Sequence, residues 1–264
     1  MRIIGPDEMV FGVDDLAASR QFLTDYGLAE VEWSDAGGTF VALDNTAITV
    51  RHRSDPSLPK ELPSKSTIRL TIYGVEDAAS LEEIAAEMAK DRPVSRGTDG
   101  SVTFEDNVGF LLKFQLTRRT QLEMEPELVN SPGAPPARGP NKIGAWQDAP
   151  AKPRTLSHIV YFTPDMPGME KFYVERLKFV VTDRFNGVGP FLRPQACRDH
   201  HTLFMLHTPT YMQGLEHLAF HMQGPTELML AGSRLVKKGW ESFWGPGRHK
   251  FGSNWFWYFN CPLM

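Results

Sequence analysis

Cysteine is nearly absent from this 264-residue chain: Cys197 and Cys261 are the only two, and they form no Cys-x-x-Cys pair. That scarcity excludes a disulfide framework and a thiolate zinc site, and a reduced, cytoplasmic setting is expected. Long apolar runs are missing too. None approaches the roughly 20 residues that cross a bilayer, and Met1-Arg2-Ile3-Ile4-Gly5-Pro6-Asp7-Glu8 lacks the apolar core of a secretory signal. Positive charge is not in excess: the net charge is -4, with no basic run to follow a phosphate backbone. Neither nucleic acid nor a membrane is therefore an expected partner. What is present is ordinary for a globular protein, with 41% hydrophobic and 23% charged residues. The length suits one large domain or two smaller ones.

Taken in order, the chain repeats one pattern. A strand at Met9-Val10-Phe11-Gly12-Val13 is followed by Asp14-Asp15, which can cap a helix carrying Leu16, Ala17, Phe22, Leu23 and Tyr26 on one side. Gly27 closes that helix. Strands are expected at 29–33, 39–43 and 47–52, with turns at Gly37-Gly38 and Asp44-Asn45. After a Pro-rich connection the pattern returns: a strand at 67–73, a helix at 77–90, and strands at 101–104 and 109–116. A third unit is expected from strand 158–162, helix 166–177 and strands 179–183, 189–192 and 201–207. A fourth follows from strand 216–222, helix 225–238 and strand 254–259. The fold class predicted is α+β, four tandem βαβββ modules paired into two barrel-like domains. Residues 1–118 form the first domain and 155–264 the second. Pro132, Pro135, Pro136, Pro140, Pro150 and Pro153 mark 119–154 as a linker.

Seven of the eight histidines fall in the second half. His158 sits on the opening strand of module three and His217 on that of module four. Strand alternation puts His158, Val160 and Phe162 on one face, and likewise His217, Ala219 and His221. A single strand histidine is ordinarily structural. Two at equivalent places in successive modules point to a metal site. His52, His200, His207 and His221 are read as surface or core residues. Trp240, Trp244, Trp255 and Trp257 suit either a pocket wall or packing. Gly245-Pro246-Gly247 lacks the context of a phosphate loop and is read as a turn presenting Arg248 and His249.

Four such modules, with histidines opening the third and fourth, resemble the vicinal oxygen chelate superfamily of glyoxalases, bleomycin resistance proteins and extradiol dioxygenases. The two-domain layout looks most like the type I extradiol dioxygenases. The resemblance implies a metal-dependent, ring-cleaving oxidoreductase of aromatic catabolism, acting on a catechol-type substrate and O2. Two histidines and a glutamate would hold Fe(II), or Mn(II), and leave positions open for substrate. By that resemblance His158 and His217 are metal ligands, while His201, His249 and Tyr258 are catalytic. Asn254 belongs to the substrate pocket, and a homo-oligomer is implied.

The chain also departs from the family pattern. Tyr258-Phe259-Asn260-Cys261-Pro262 matches a Tyr-x-x-x-Pro stretch, but the glutamate expected some residues later lies beyond the given C-terminus. Glu216 is no substitute on alternation, which points it away from His217. In the first half the equivalent positions are Met9, Arg69 and Lys113, which cannot make a divalent-metal triad, so this domain is vestigial scaffold. Two alternatives remain: a glyoxalase-like isomerase or lyase, and a non-catalytic binding protein of the bleomycin-resistance kind.

Overall fold

The computed structural model describes residues 1–144 and 150–264, so residues 145–149 of the expected linker lie outside the described residues. The first module is β1 (Ile3–Val13), α1 (Leu16–Tyr26), β2 (Ala29–Ser34), β3 (Gly37–Val41) and β4 (Ala47–His52). Asp15 caps α1 by accepting from the Ala18 N–H at 2.8 Å, a bond of about 1 kcal/mol. Gly27 ends the helix at φ 105°, in the left-handed region that a side chain disfavours. The second module is β5 (Ile68–Val75), α2 (Ala78–Met88), β6 (Ser95–Arg96), β7 (Val102–Glu105) and β8 (Leu111–Leu116).

These strands form one eight-stranded sheet in the order β2-β3-β4-β1-β5-β8-β7-β6. Its inner face carries the large buried side chains Met9, Phe11, Phe40, Tyr73 and Phe114. Gly37 and Gly38 are not the turn. They lie within β3, where a Cβ on Gly37 would stand 2.1 Å from the Val50 carbonyl oxygen. The turn itself is Asp35-Ala36, and both the close approach of neighbouring strands and a φ of 123° at Gly37 favour glycine there.

From Thr117 to Arg154 the described residues contain no helix or strand. The stretch still makes defined contacts. The Glu127 carboxylate accepts from the Thr226 N–H at 3.1 Å, at the start of a later helix.

The third module is β9 (Thr155–Thr163), α3 (Met166–Lys171), β10 (Phe179–Phe185), β11 (Gly189–Pro194) and β12 (Leu203–His207). The expected helix at 166–177 is thus split, because residues Phe172–Arg176 widen into a π turn. The fourth module has β13 (Gly214–His221), α4 (Pro225–Lys237), β14 (Ser242–Arg248) and β15 (Trp255–Phe259). Gly245-Pro246-Gly247 belongs to strand β14 instead of forming a turn. The register of β14 against β15 shifts across it.

The second sheet runs β10-β11-β12-β9-β13, and β14-β15 form a separate ribbon. In the first three modules the last strand lies parallel to the first: β4 on β1, β8 on β5 and β12 on β9. Among the described residues β13 is paired on one side alone, to β9. The two halves are bonded through helices α1 and α4. Arg234 of α4 donates from Nη2 to the carbonyls of Tyr26 and Ala151, each at 3.0 Å. Trp240 stacks edge-on against Phe22 at 5.0 Å.

Candidate metal centre

Strands β9 and β13 are antiparallel neighbours, with His217 opposite Val160 and His158 opposite Ala219. The diagonal between the two histidines is short enough for side chains on one face to meet. Their Nε2 atoms lie 3.2 Å apart. Both rings are held from behind at Nδ1. His158 Nδ1 is 3.1 Å from Ser157 Oγ, and that hydroxyl is 2.8 Å from His221 Nε2. His217 Nδ1 meets the Glu216 carboxylate. A carboxylate accepts only, so this contact is a hydrogen bond in the tautomer of His217 that carries its proton on Nδ1.

The Glu216 contact corrects the alternation argument. The pairing of β13 with β9 slips by one residue between Leu215 and His217, leaving Glu216 as the extra residue of a bulge. A bulge re-aims the side chain that alternation would send away.

Around this pair the remaining predicted residues converge. The His201 ring lies 4.4 Å from that of His158. Its Nδ1 is 3.0 Å from His200 Nδ1. Tyr258 meets His217 edge-on at 5.0 Å, and its hydroxyl is 3.2 Å from His249 Nε2. Asn254 lines the same cavity of about 440 Å³. Its carbonyl also accepts from the His249 N–H at 2.9 Å.

Two further histidines read from sequence as background also face the cavity, His200 and His221. Alternation had already set His221 on the face of His217, whereas His200 is found only through its contact with His201, which the sequence does not give. His52 and His207 lie elsewhere, bonded to Ser54 and to the Pro164 carbonyl. Trp255 and Trp257 line the cavity, Trp240 packs on α1, and Trp244 lies tilted against Phe256 at 4.4 Å.

Clustering of imidazoles in a buried place sets their charge. Burial, then the neighbouring His201 and His217, holds His158 well below the ordinary histidine value. Burial, with His200 next, pushes His201 down to about 3. Burial, and then His217, lowers His249. Burial and the nearby Glu216 charge push Tyr258 up to about 12. At neutral pH these three imidazoles and the phenol are uncharged, which keeps their lone pairs and protons available for bonding.

The donor set fits a cation. Two nitrogens each about 2.1 Å from a metal, at a right angle to one another, are about 3.0 Å apart. The observed 3.2 Å agrees with that. Among the described residues, no group of three His, Cys, Asp or Glu side chains is placed to enclose an ion. The equivalent positions of the first half are differently used: Met9 is buried in the core, Arg69 pairs with Glu61 at 2.6 Å, and Lys113 pairs with Asp99 at 3.3 Å.

Comparison with known proteins agrees with this architecture. Residues 155–260 match the family described as the Glyoxalase/Bleomycin resistance protein/Dioxygenase superfamily. The match lies wholly within the second half, which is what is similar to that superfamily, the vicinal oxygen chelate proteins. Metapyrocatechase 2 of Cupriavidus necator is 30% identical over 168 residues, covering 63% of this chain and 51% of that protein. The chain therefore spans about half the length of this relative. The Mn(II)-bound glyoxalase of Novosphingobium aromaticivorans shares the fold with a TM-score of 0.75 and 22% identity, over 99% of this chain and 80% of its own. A 2,3-dioxygenase of Pseudomonas sp. KL28 follows at 0.74 and 20%, over 100% and 90%. The α+β fold of βαβββ modules is thus that of glyoxalases and extradiol dioxygenases.

Proposed function

We propose that the protein is a metal-dependent extradiol dioxygenase acting on a catechol-type aromatic and O2. The observation that carries this reading is the pair of Nε2 atoms of His158 and His217, 3.2 Å apart on one sheet face, with each Nδ1 engaged elsewhere. His158 and His217 would hold a divalent ion, Fe(II) first and Mn(II) second. When bound, such an ion supplies a Lewis-acidic centre that lowers the pKa of both catechol oxygens.

The chain's own groups divide the remaining work. His249 Nε2 and Tyr258 Oη stand 3.2 Å apart, a donor–acceptor pair spaced to orient one phenolic oxygen. His201 lies beside His158, the two rings 4.4 Å apart. Its Nδ1 is occupied by His200, which leaves Nε2 to take or return a proton in the cavity. Phe191 packs edge-on against His201 at 4.9 Å and restrains that ring. The Ser157 hydroxyl keeps His158 from rotating.

The test is metal analysis of the full-length protein purified without oxygen, followed by O2 uptake on a panel of catechols. Near-stoichiometric iron or manganese, lost in His217→Ala, with O2 consumed one-for-one with substrate, is the expected result. Metal uptake without O2 consumption would leave an isomerase or lyase. No metal uptake with Fe(II) supplied would leave a binding protein.

A further inference from the structure

Of the cavities, ion pairs and buried polar groups in the chain, the Glu216 contact goes furthest beyond the family likeness. Three observations meet there. The β13 bulge leaves Glu216 without a partner on β9 and turns its side chain to the face of His217. Its carboxylate oxygen then sits on His217 Nδ1. Among the described residues no lysine or arginine pairs with Glu216, so its bonding is directed at the imidazole. Ser157 plays the matching part for His158 from the adjacent strand, through a neutral hydroxyl.

We infer that Glu216 is a positioning residue: it holds the proton of His217 on Nδ1 and so presents Nε2 to a divalent cation. The inference rests on the proposed metal site but is separable from it. A carboxylate behind a ligating imidazole fixes ring orientation and raises the electron density on the opposite nitrogen. A neutral histidine with a free choice would populate both tautomers, and the tautomer with Nε2–H cannot bind metal through that atom. Glu216 removes the choice. It does not line the cavity, and its one side-chain bond is to His217, although its charge is also felt at Tyr258.

The experiment has two readouts on the full-length protein. Long-range nitrogen–proton correlation NMR of the metal-free protein, labelled at histidine, reports which nitrogen of His217 carries the proton. Nδ1–H is expected in the wild type, and Nε2–H found there would overturn the inference without any variant being needed. Mn(II) affinity, read from the EPR signal of the free ion, is then compared among wild type, Glu216→Gln and Glu216→Leu. The Leu variant is expected to lose roughly 10- to 100-fold and to show mixed tautomers. The Gln variant, which keeps an acceptor oxygen, is expected to retain Nδ1–H and most of the affinity. A Leu variant that binds Mn(II) within twofold of wild type, with His217 still protonated at Nδ1, would also overturn the inference. If the wild type takes up no metal, the metal reading fails, while the NMR readout still decides whether Glu216 sets the tautomer.

Discussion

Arg119 Nε donates to Asp7 Oδ1 across 3.1 Å, joining the first residues after the eight-stranded sheet to the middle of its longest strand. The same guanidinium reaches the second half. Nη1 donates to Thr155 Oγ1 at 2.9 Å, and Nη2 to the carbonyls of Pro6 and Leu156 at 2.6 and 3.1 Å. Burial raises the pKa of Asp7, and Arg119 works against that rise. One side chain thus ties β1, the linker and β9 together, and β9 is the strand that carries His158.

Removing Arg119 leaves a buried carboxylate without its counter-charge. Arg119→Ala is expected to cost about 3 kcal/mol in urea denaturation, as broken buried pairs do. The double variant Asp7→Asn/Arg119→Ala should recover part of that loss, since the stranded charge is then gone. A single-variant loss under about 1 kcal/mol would mean that the network does not hold the halves together.

Asp106 gives a pH dependence of definite sign. Its Oδ1 accepts from the N–H groups of Val108 and Phe110, each at 3.0 Å, in the turn between β7 and β8. Burial pushes its pKa up to about 7. An unfolded aspartate releases its proton near pH 3.9. Between about pH 4 and pH 7 the folded state therefore binds more protons, and the contribution of Asp106 to stability falls as pH rises. Asp106→Asn keeps the accepting oxygen and removes the charge. Its melting temperature should gain on the wild type from pH 5 to pH 8, and a pH-independent difference would contradict the assignment.

Gly232 sets two effects against each other. In a helix interior, alanine is better than glycine by about 1 kcal/mol. Here a Cβ would stand 2.0 Å from Trp257 Cε3, whose indole N–H is fixed to Ser242 Oγ at 2.7 Å. Overpacking of this kind costs about 1–3 kcal/mol. Gly232→Ala should therefore lower stability, and loosen the β14-β15 ribbon that carries His249 and Tyr258. Thermal melts check the first part, and Trp257 fluorescence the second. A stabilised variant would show that the indole yields freely.

His201→Ala separates proton handling from metal binding. On the proposed function kcat should drop about 100-fold or more, the usual contribution of a placed acid or base. Mn(II) affinity should stay within a few-fold of wild type, because His201 is beside the His158 ring rather than between the facing nitrogens. Loss of metal together with activity would instead make His201 a ligand.

Much of the architecture was legible in the chain itself. Strand-length apolar runs, Asp15 before α1 and Gly27 after it determine module one, and the same local physics restarts at Ile68, Thr155 and Gly214. Local sequence settles such features because capping and alternation act over a few residues. His158 and His217 were anticipated by their position within modules, and His201, His249, Asn254 and Tyr258 by the family resemblance; all six line one cavity. What the sequence could not decide depends on register. Alternation sends Glu216 away from His217, and a one-residue slip in the β13–β9 pairing brings it back. Ser157 and His221, though 64 residues apart, share a hydrogen bond because β9 and β13 are neighbours in space. Gly245-Pro246-Gly247 reads as a turn by composition, yet β15 holds it as a strand. Pairing across strands is a long-range choice made by the whole sheet, so the network behind the two histidines belongs to the tertiary structure.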